Sequence, residues 1–173
     1  MAGKILVTYA SRGGATAGVA EEIGQTLADR GIDVEVRPMH EVQNLDPYSA
    51  VVAGSAIQGG AWLPEAVQFV QKNRAALDEK RCALFLVCMT LAMPSAEKHR
   101  QFVSAWMEPV RKLVSPVAEG LFAGAFDLHK VPSFADRLKF RVSMLAGVWP
   151  TGDHRDWQAI DAWAASLPPL LGV

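Results

Sequence analysis

Short continuous apolar runs alternate along the chain with longer stretches in which apolar residues recur every three or four positions. Residues 5–9 are apolar on both sides and read as a buried strand. Val19, Ile23 and Leu27 then repeat at four-residue spacing, the stripe of a helix over 18–30 that Gly31 is placed to end. Residues 33–39 alternate, with Val34 and Val36 on one side, as in a strand nearer a sheet edge. Residues 50–54 form a third strand. Pro64 suits the first turn of a helix whose Ala66, Val67, Val70 and Leu77 face one way. Residues 82–88, "CALFLVC", predict a central strand covered on both faces. Ser95 is placed to cap a helix to about residue 114, with Phe102, Val103, Trp106, Val110 and Leu113 as its core face and Pro109 as a kink. Residues 120–126 are the fifth strand. Asp156 caps a last helix with Trp157, Ile160, Ala164 and Leu167 buried, stopped by Pro168 and Pro169.

This alternation predicts right-handed βαβ units around a five-stranded parallel sheet in the order 2-1-3-4-5, with helices on both faces. No repeat or linker interrupts residues 1–173, so one domain is expected, with an insertion-like segment at about 127–155. In such a sheet ligands bind beyond the carboxyl ends of the strands, beside strand 1. Three loops meet there: residues 10–16, 55–62 and 89–94.

Half of the 173 residues are apolar and the net charge is −1, an ordinary globular balance with no basic excess for nucleic acid. Cys82 and Cys88 lie six apart in one predicted strand, roughly 20 Å and too far to bridge. No Cys/His cluster has metal-ligand spacing. The first apolar run is needed as a strand, and no cleavage pattern follows it. A reduced, cytoplasmic setting is expected.

The first loop, "YASRGGAT", carries the chemistry. Gly13 and Gly14 let backbone N–H groups converge on an anion, Ser11 and Thr16 add hydroxyls, and the helix N-terminus adds partial positive charge. Arg12 is either a charge-assisted contact or a solvated side chain. The loop lacks the lysine of a nucleotide-hydrolysing P-loop. It lacks G-x-G-x-x-G, and strand 2 ends in Arg37-Pro38 instead of an acidic residue, unlike a dinucleotide site. A phosphoacceptor aspartate is missing from the ends of strands 1 and 3. A mononucleotide held by neutral hydroxyls and backbone amides remains.

The stretch "VTYASRGGATAGVAEEI" resembles the phosphate loop of flavodoxins, which bind FMN. "YASRGGAT", "GSAIQGGAW", the long segment after strand 5 and "DHRDWQAIDAWAASL" together resemble one branch, the quinone-dependent protoporphyrinogen oxidases of heme biosynthesis. The resemblance covers nearly the whole chain and implies an α/β flavodoxin-like three-layer sandwich. It implies that Ser11, Arg12, Gly13, Gly14, Ala15 and Thr16 hold the FMN phosphate. Ser55, Ala56 and Ile57, with Met89, Thr90 and Leu91, would edge the isoalloxazine ring. Relatives of that branch carry a basic residue and an aromatic where this chain has Gln58 and Gly59. Trp62, the nearest aromatic, either stacks on the flavin or packs under the following helix.

The segment "LHKVPSFADRLKFRVSMLAGVWPTGDHRDW" is too long for a simple connection. Phe134, Leu138, Val142 and Leu145 recur at helical spacing among Arg137, Lys139 and Arg141. A basic amphipathic helix at 134–146 can lie on an anionic membrane, at its inner face, and meet a quinone there; the plainer expectation is that its apolar side packs on the domain. Trp149 either covers the flavin or anchors its loop, and His154 is expected at the surface. No catalytic acid or base stands out. The resemblance thus implies an FMN-dependent oxidoreductase that oxidises a porphyrinogen and passes electrons to a quinone. The alternatives are an electron carrier or quinone reductase of the same fold, serving a redox partner protein, and a binding domain that has lost its flavin.

Overall fold

The computed structural model describes residues 3–173. Five parallel strands form the central sheet: β1 (Lys4–Ala10), β2 (Val34–Pro38), β3 (Tyr48–Gln58), β5 (Arg81–Cys88) and β6 (Ala118–Ala123), in the order β2-β1-β3-β5-β6. Counting parallel strands alone, this is the expected 2-1-3-4-5. A short β4 (Ala61–Trp62) folds back antiparallel on β3.

Successive side chains of a strand point to opposite faces, and the core divides accordingly. Leu6, Val51, Ala53, Leu84 and Leu86 pack on one side with residues of α2 (Pro64–Lys72), α3 (Arg74–Glu79), α4 (Ala96–Ala105) and α5 (Glu108–Arg111). Ile5, Val7, Val52, Phe85 and Val87 pack on the other with α1 (Ala15–Ala28) and α7 (Trp157–Leu171). Phe85 is fully buried, edged by Phe122 and Trp163 at centroid distances of 6.4 and 6.2 Å. Gly54 sits opposite it in the sheet, and a Cβ there would fall 2.0 Å from the ring. Cys82 and Cys88 are free and buried, as their spacing requires.

The helices depart from expectation where chain geometry overrides periodicity. The helix begun by Pro64 breaks at Asn73, whose side-chain amide donates to the Phe69 carbonyl and separates α2 from α3. The helix begun after Ser95 ends at Ala105, and Pro109 lies in the first turn of the separate α5 instead of kinking one long helix. Phe102 is consequently exposed, while Val103, Met107 and Val110 are buried. Trp157 lies partly outside the last helix's buried stripe of Ile160, Ala164, Leu167 and Leu171. Pro168 and Pro169 do not stop that helix: it continues to Leu171 and ends at Gly172, whose amide donates to the Pro168 carbonyl. Asp156 caps it as expected, accepting from the Ala159 amide.

The fifth strand also stops early. After Gly124 the chain leaves the sheet as β7 (Ala125–Phe126), which pairs antiparallel with β8 (Gly152–Asp153). This two-residue ribbon forms the neck of the segment between them, which contains α6 (Phe134–Leu145). Its Ser133 hydroxyl accepts from the Asp136 amide, a helix N-cap. The predicted apolar side of α6 does not pack on the sheet: Phe134, Leu138, Val142 and Leu145 are 80%, 55%, 59% and 90% exposed. The helix is held instead through Phe140, which packs on Phe126 and Trp149 at 4.8 and 5.8 Å between centroids. No helix among the described residues is long and apolar enough to cross a membrane.

Candidate functional site

The carboxyl ends of β1, β3 and β5 open into one cleft of about 910 Å³. Small-molecule sites commonly occupy about 300–1,000 Å³. At its base lies the glycine loop. Gly14 adopts a left-handed conformation, φ 89°, and its amide donates to the Ser11 hydroxyl at 3.1 Å. This turn delivers the chain into α1, whose first amides have no carbonyl to bond within the helix. A Cβ on Gly13 would meet no atom within 4 Å, so the space over the loop is open. Thr16 is buried at the start of the helix.

The second loop is a two-residue hairpin. Gly59 and Gly60 both have positive φ, 59° and 74°, and Gln58 pairs with Ala61 across the turn. That is the geometry two consecutive glycines favour. It leaves Ala56, Ile57, Gln58, Gly59 and Gly60 on the cleft and returns Trp62 to the core, 3% exposed and away from the cleft lining. The Ser55 side chain also faces inward. Its hydroxyl accepts from the Leu63 amide at 3.0 Å and donates to the Ala56 carbonyl at 2.7 Å, a latch between β3 and α2.

From the third loop Met89 and Thr90 reach the cleft, whereas Leu91 is buried in the core. Cys88 also lines the cleft, and burial raises its pKa, so it stays a thiol. Of the residues expected at the site, Ser11, Arg12, Gly13, Ala15, Thr16, Ala56, Ile57, Met89 and Thr90 line the cleft. Ser55, Trp62 and Leu91 are buried and do not line it.

Arg12 makes a charge-assisted contact within the protein. It forms a two-pronged ion pair with Glu65 in the first turn of α2, one prong at 3.0 Å. The hydrogen bond from Arg12 holds the Glu65 carboxyl below its usual range.

The segment after β6 forms the outer wall. Phe126, Phe140 and Trp149 line the cleft, and Trp149 Nε1 is buried without an acceptor among the described residues. Lys130 and Arg155 reach the glycine loop from this segment. Arg155 pairs with Asp153 and lies 4.4 Å over the Trp157 ring. That pairing depresses the Asp153 pKa to about 2. Trp106, expected in a helix core, sits at the rim beside Gly60. His154 is exposed, its ring against the Thr151 carbonyl. These wall residues come from distant parts of the chain, and among them the sequence marks only Trp149 as a candidate cover for the flavin.

The sequence profile of the flavodoxin domain matches residues 6–156. The chain belongs to the flavodoxin domain family. No curated protein matches it. Among solved structures, the flavodoxin of Streptococcus pneumoniae TIGR4 is similar at 16% identity and a TM-score of 0.59, over 96% of this chain and 98% of that one. Oxidised flavodoxin 2 of Bacillus cereus is 25% identical with a TM-score of 0.51, over 83% of this chain and 98% of that one. Rubredoxin oxygen:oxidoreductase of Desulfovibrio gigas matches 98% of this chain with 37% of its own, at 15% identity and a TM-score of 0.51. The family is one of FMN-binding electron carriers, and FMN is the cofactor. The site fits it: an open hydroxyl-and-amide cradle over Gly13 for a phosphate, beside a cleft with apolar and aromatic walls for a flat ring.

Proposed function

We propose that this flavodoxin-family protein is an FMN-dependent oxidoreductase that removes hydrogens from a porphyrinogen and passes the electrons to a quinone. Ser11, Gly13, Gly14, Ala15 and Thr16 would hold the phosphate; Ala56, Ile57, Met89 and Thr90 would edge the ring. When bound, FMN supplies an acceptor for hydride or single electrons. The chain's own part is to orient the substrate against the ring and to exclude water.

The observation that carries this reading is the aromatic wall. A flavin carrier needs its ring edge accessible to a partner protein, whereas Phe126, Phe140 and Trp149 extend the cleft beyond the three sheet loops. The pyrrole rings of a porphyrinogen, the flat porphyrin made from it and quinones all pack well on aromatic faces. The sequence resemblance to protoporphyrinogen oxidases points the same way. The exposed apolar stripe of α6 lies among cations, four against one carboxylate over residues 130–145, which suits contact with an anionic membrane where quinones reside.

The test is anaerobic turnover of protoporphyrinogen by the FMN-loaded protein, read as porphyrin fluorescence, with and without a soluble quinone. Porphyrin formed in proportion to quinone supports the reading. No porphyrin, together with rapid electron transfer from a flavodoxin reductase to cytochrome c, replaces it with the carrier reading that the family by itself favours.

A further inference from the structure

The glycine loop presents amides and hydroxyls but spends its own cation elsewhere, because Arg12 is drawn onto Glu65. Two other cations take up positions around it. Lys130 follows β7 and donates from Nζ to the Gly13 carbonyl at 3.1 Å. The same nitrogen lies 3.8 Å from where a Cβ on Gly14 would stand. Arg155 follows β8 and donates from Nη1 to the Ala15 carbonyl at 3.3 Å. That nitrogen lies 2.4 Å from the position of a Cβ on Gly18, so the helix passes close only because residue 18 has no side chain. Both cations line the cleft.

Their charges are unequally free. Arg155 commits Nε and Nη2 to Asp153, leaving Nη1 directed at the loop. Lys130 has no carboxylate within ion-pair distance among the described residues. An ammonium has three donors, and the Gly13 carbonyl takes one. A phosphate dianion over Gly13 would meet one uncompensated positive charge and one partly compensated charge, in addition to the amides.

We infer that Lys130 and Arg155 are charge partners of the FMN phosphate, so that the segment after β6 completes a phosphate site that the glycine loop alone leaves neutral. The inference rests on FMN as the cofactor, and it predicts a preference for FMN over riboflavin that depends on residues more than a hundred positions from the loop.

The experiment titrates the flavin-stripped full chain with FMN and with riboflavin by fluorescence quenching, at low salt and at high salt. In Lys130→Gln, FMN binding weakens about tenfold at low salt, equivalent to about 1.4 kcal/mol. The loss shrinks at high salt because the interaction is between exposed charges. Riboflavin binding is unchanged. Gly18→Ala is the second variant. Its new methyl takes the space of Arg155 Nη1 and turns the guanidinium away, while alanine suits a helix better than glycine. It therefore weakens FMN binding, again sparing riboflavin, with the melting temperature kept or raised, a combination that structural damage does not produce.

Equal loss of both flavins in the two variants overturns the inference, as does FMN affinity unchanged in both. A wild-type chain that binds riboflavin as tightly as FMN also overturns it. A wild-type chain that binds neither flavin refutes the cofactor itself, and that result appears before any variant is made.

Discussion

Replacing Ser55 by alanine separates a residue that touches the flavin from one that braces the loop beside it. Ser55 is fully buried, and its hydroxyl holds the Leu63 amide at 3.0 Å just before α2 begins. Leu63 is itself fully buried, so water cannot replace the lost acceptor. A buried donor left unpaired costs about 1–3 kcal/mol, and the small cavity adds little. For a domain of this length about 2 kcal/mol lowers the melting temperature by roughly 4–8 °C. The measurement is thermal unfolding of the flavin-free protein beside an FMN titration. The expected result is a melting temperature lower by that amount, with FMN affinity within about threefold of wild type. A melting temperature unchanged to about 1 °C with FMN affinity down tenfold or more would refute the reasoning, and would place Ser55 at the ring as the sequence resemblance implies.

Three further outcomes follow from particular contacts. Gly54→Ala puts a methyl 2.0 Å from a Phe85 ring that Phe122 and Trp163 hold in place, costing about 3 kcal/mol in a denaturant melt; Phe85→Leu in the same chain recovers part of that loss, and simple additivity of the two would contradict the contact. Asp153, depressed from 3.8 to about 2 by Arg155, contributes stability that is present above about pH 4 and lost as pH falls towards 2; a chemical-shift titration with a midpoint near 3.8 would show the pair to be absent. The stripe of α6 predicts sedimentation with anionic but not zwitterionic vesicles, abolished by Leu138→Gln with Val142→Gln, and equal recovery with both vesicle types would remove the charge argument.

The sheet was legible in the sequence because a buried parallel strand is apolar on both faces, and the chain has four such runs besides the alternating one at Val34 and Val36. Helix positions were legible to within a turn, but their ends and outward faces were not. Periodicity places Phe102 on the stripe of Val110 only if the helix continues between them, and the break after Ala105 removes that condition. The proline pair at 168–169 misled for another reason: proline's fixed φ is itself helical, so the pair removes two amide donors yet lets the helix run on to Leu171 and end at Gly172. At the site, the glycine loop was legible because its chemistry is local. The partner of Arg12 lies 53 residues away, and Lys130 lies 117 residues from Gly13; neither pairing leaves a trace in spacing. Trp62 was ambiguous for want of one reading, that two glycines before Ala61 make a tight hairpin which turns the tryptophan inward.

That hairpin bears on how the site divides its work. The second loop offers the cleft no side chain larger than Ile57 and Gln58, and the third loop contributes Met89 and Thr90, so neither sheet loop brings an aromatic ring. The rings that line the cleft come from Trp106 at its rim and from Phe126, Phe140 and Trp149 across the neck formed by β7 and β8. The two cations nearest the glycine loop flank the same neck. The sheet thus fixes the amide cradle, while the segment after β6 supplies both charge and aromatic surface to the cleft. Shortening that segment should therefore act on phosphate preference and on substrate access together, whereas substitutions at the cleft-lining Ala56, Ile57, Met89 and Thr90 should act on ring contacts alone.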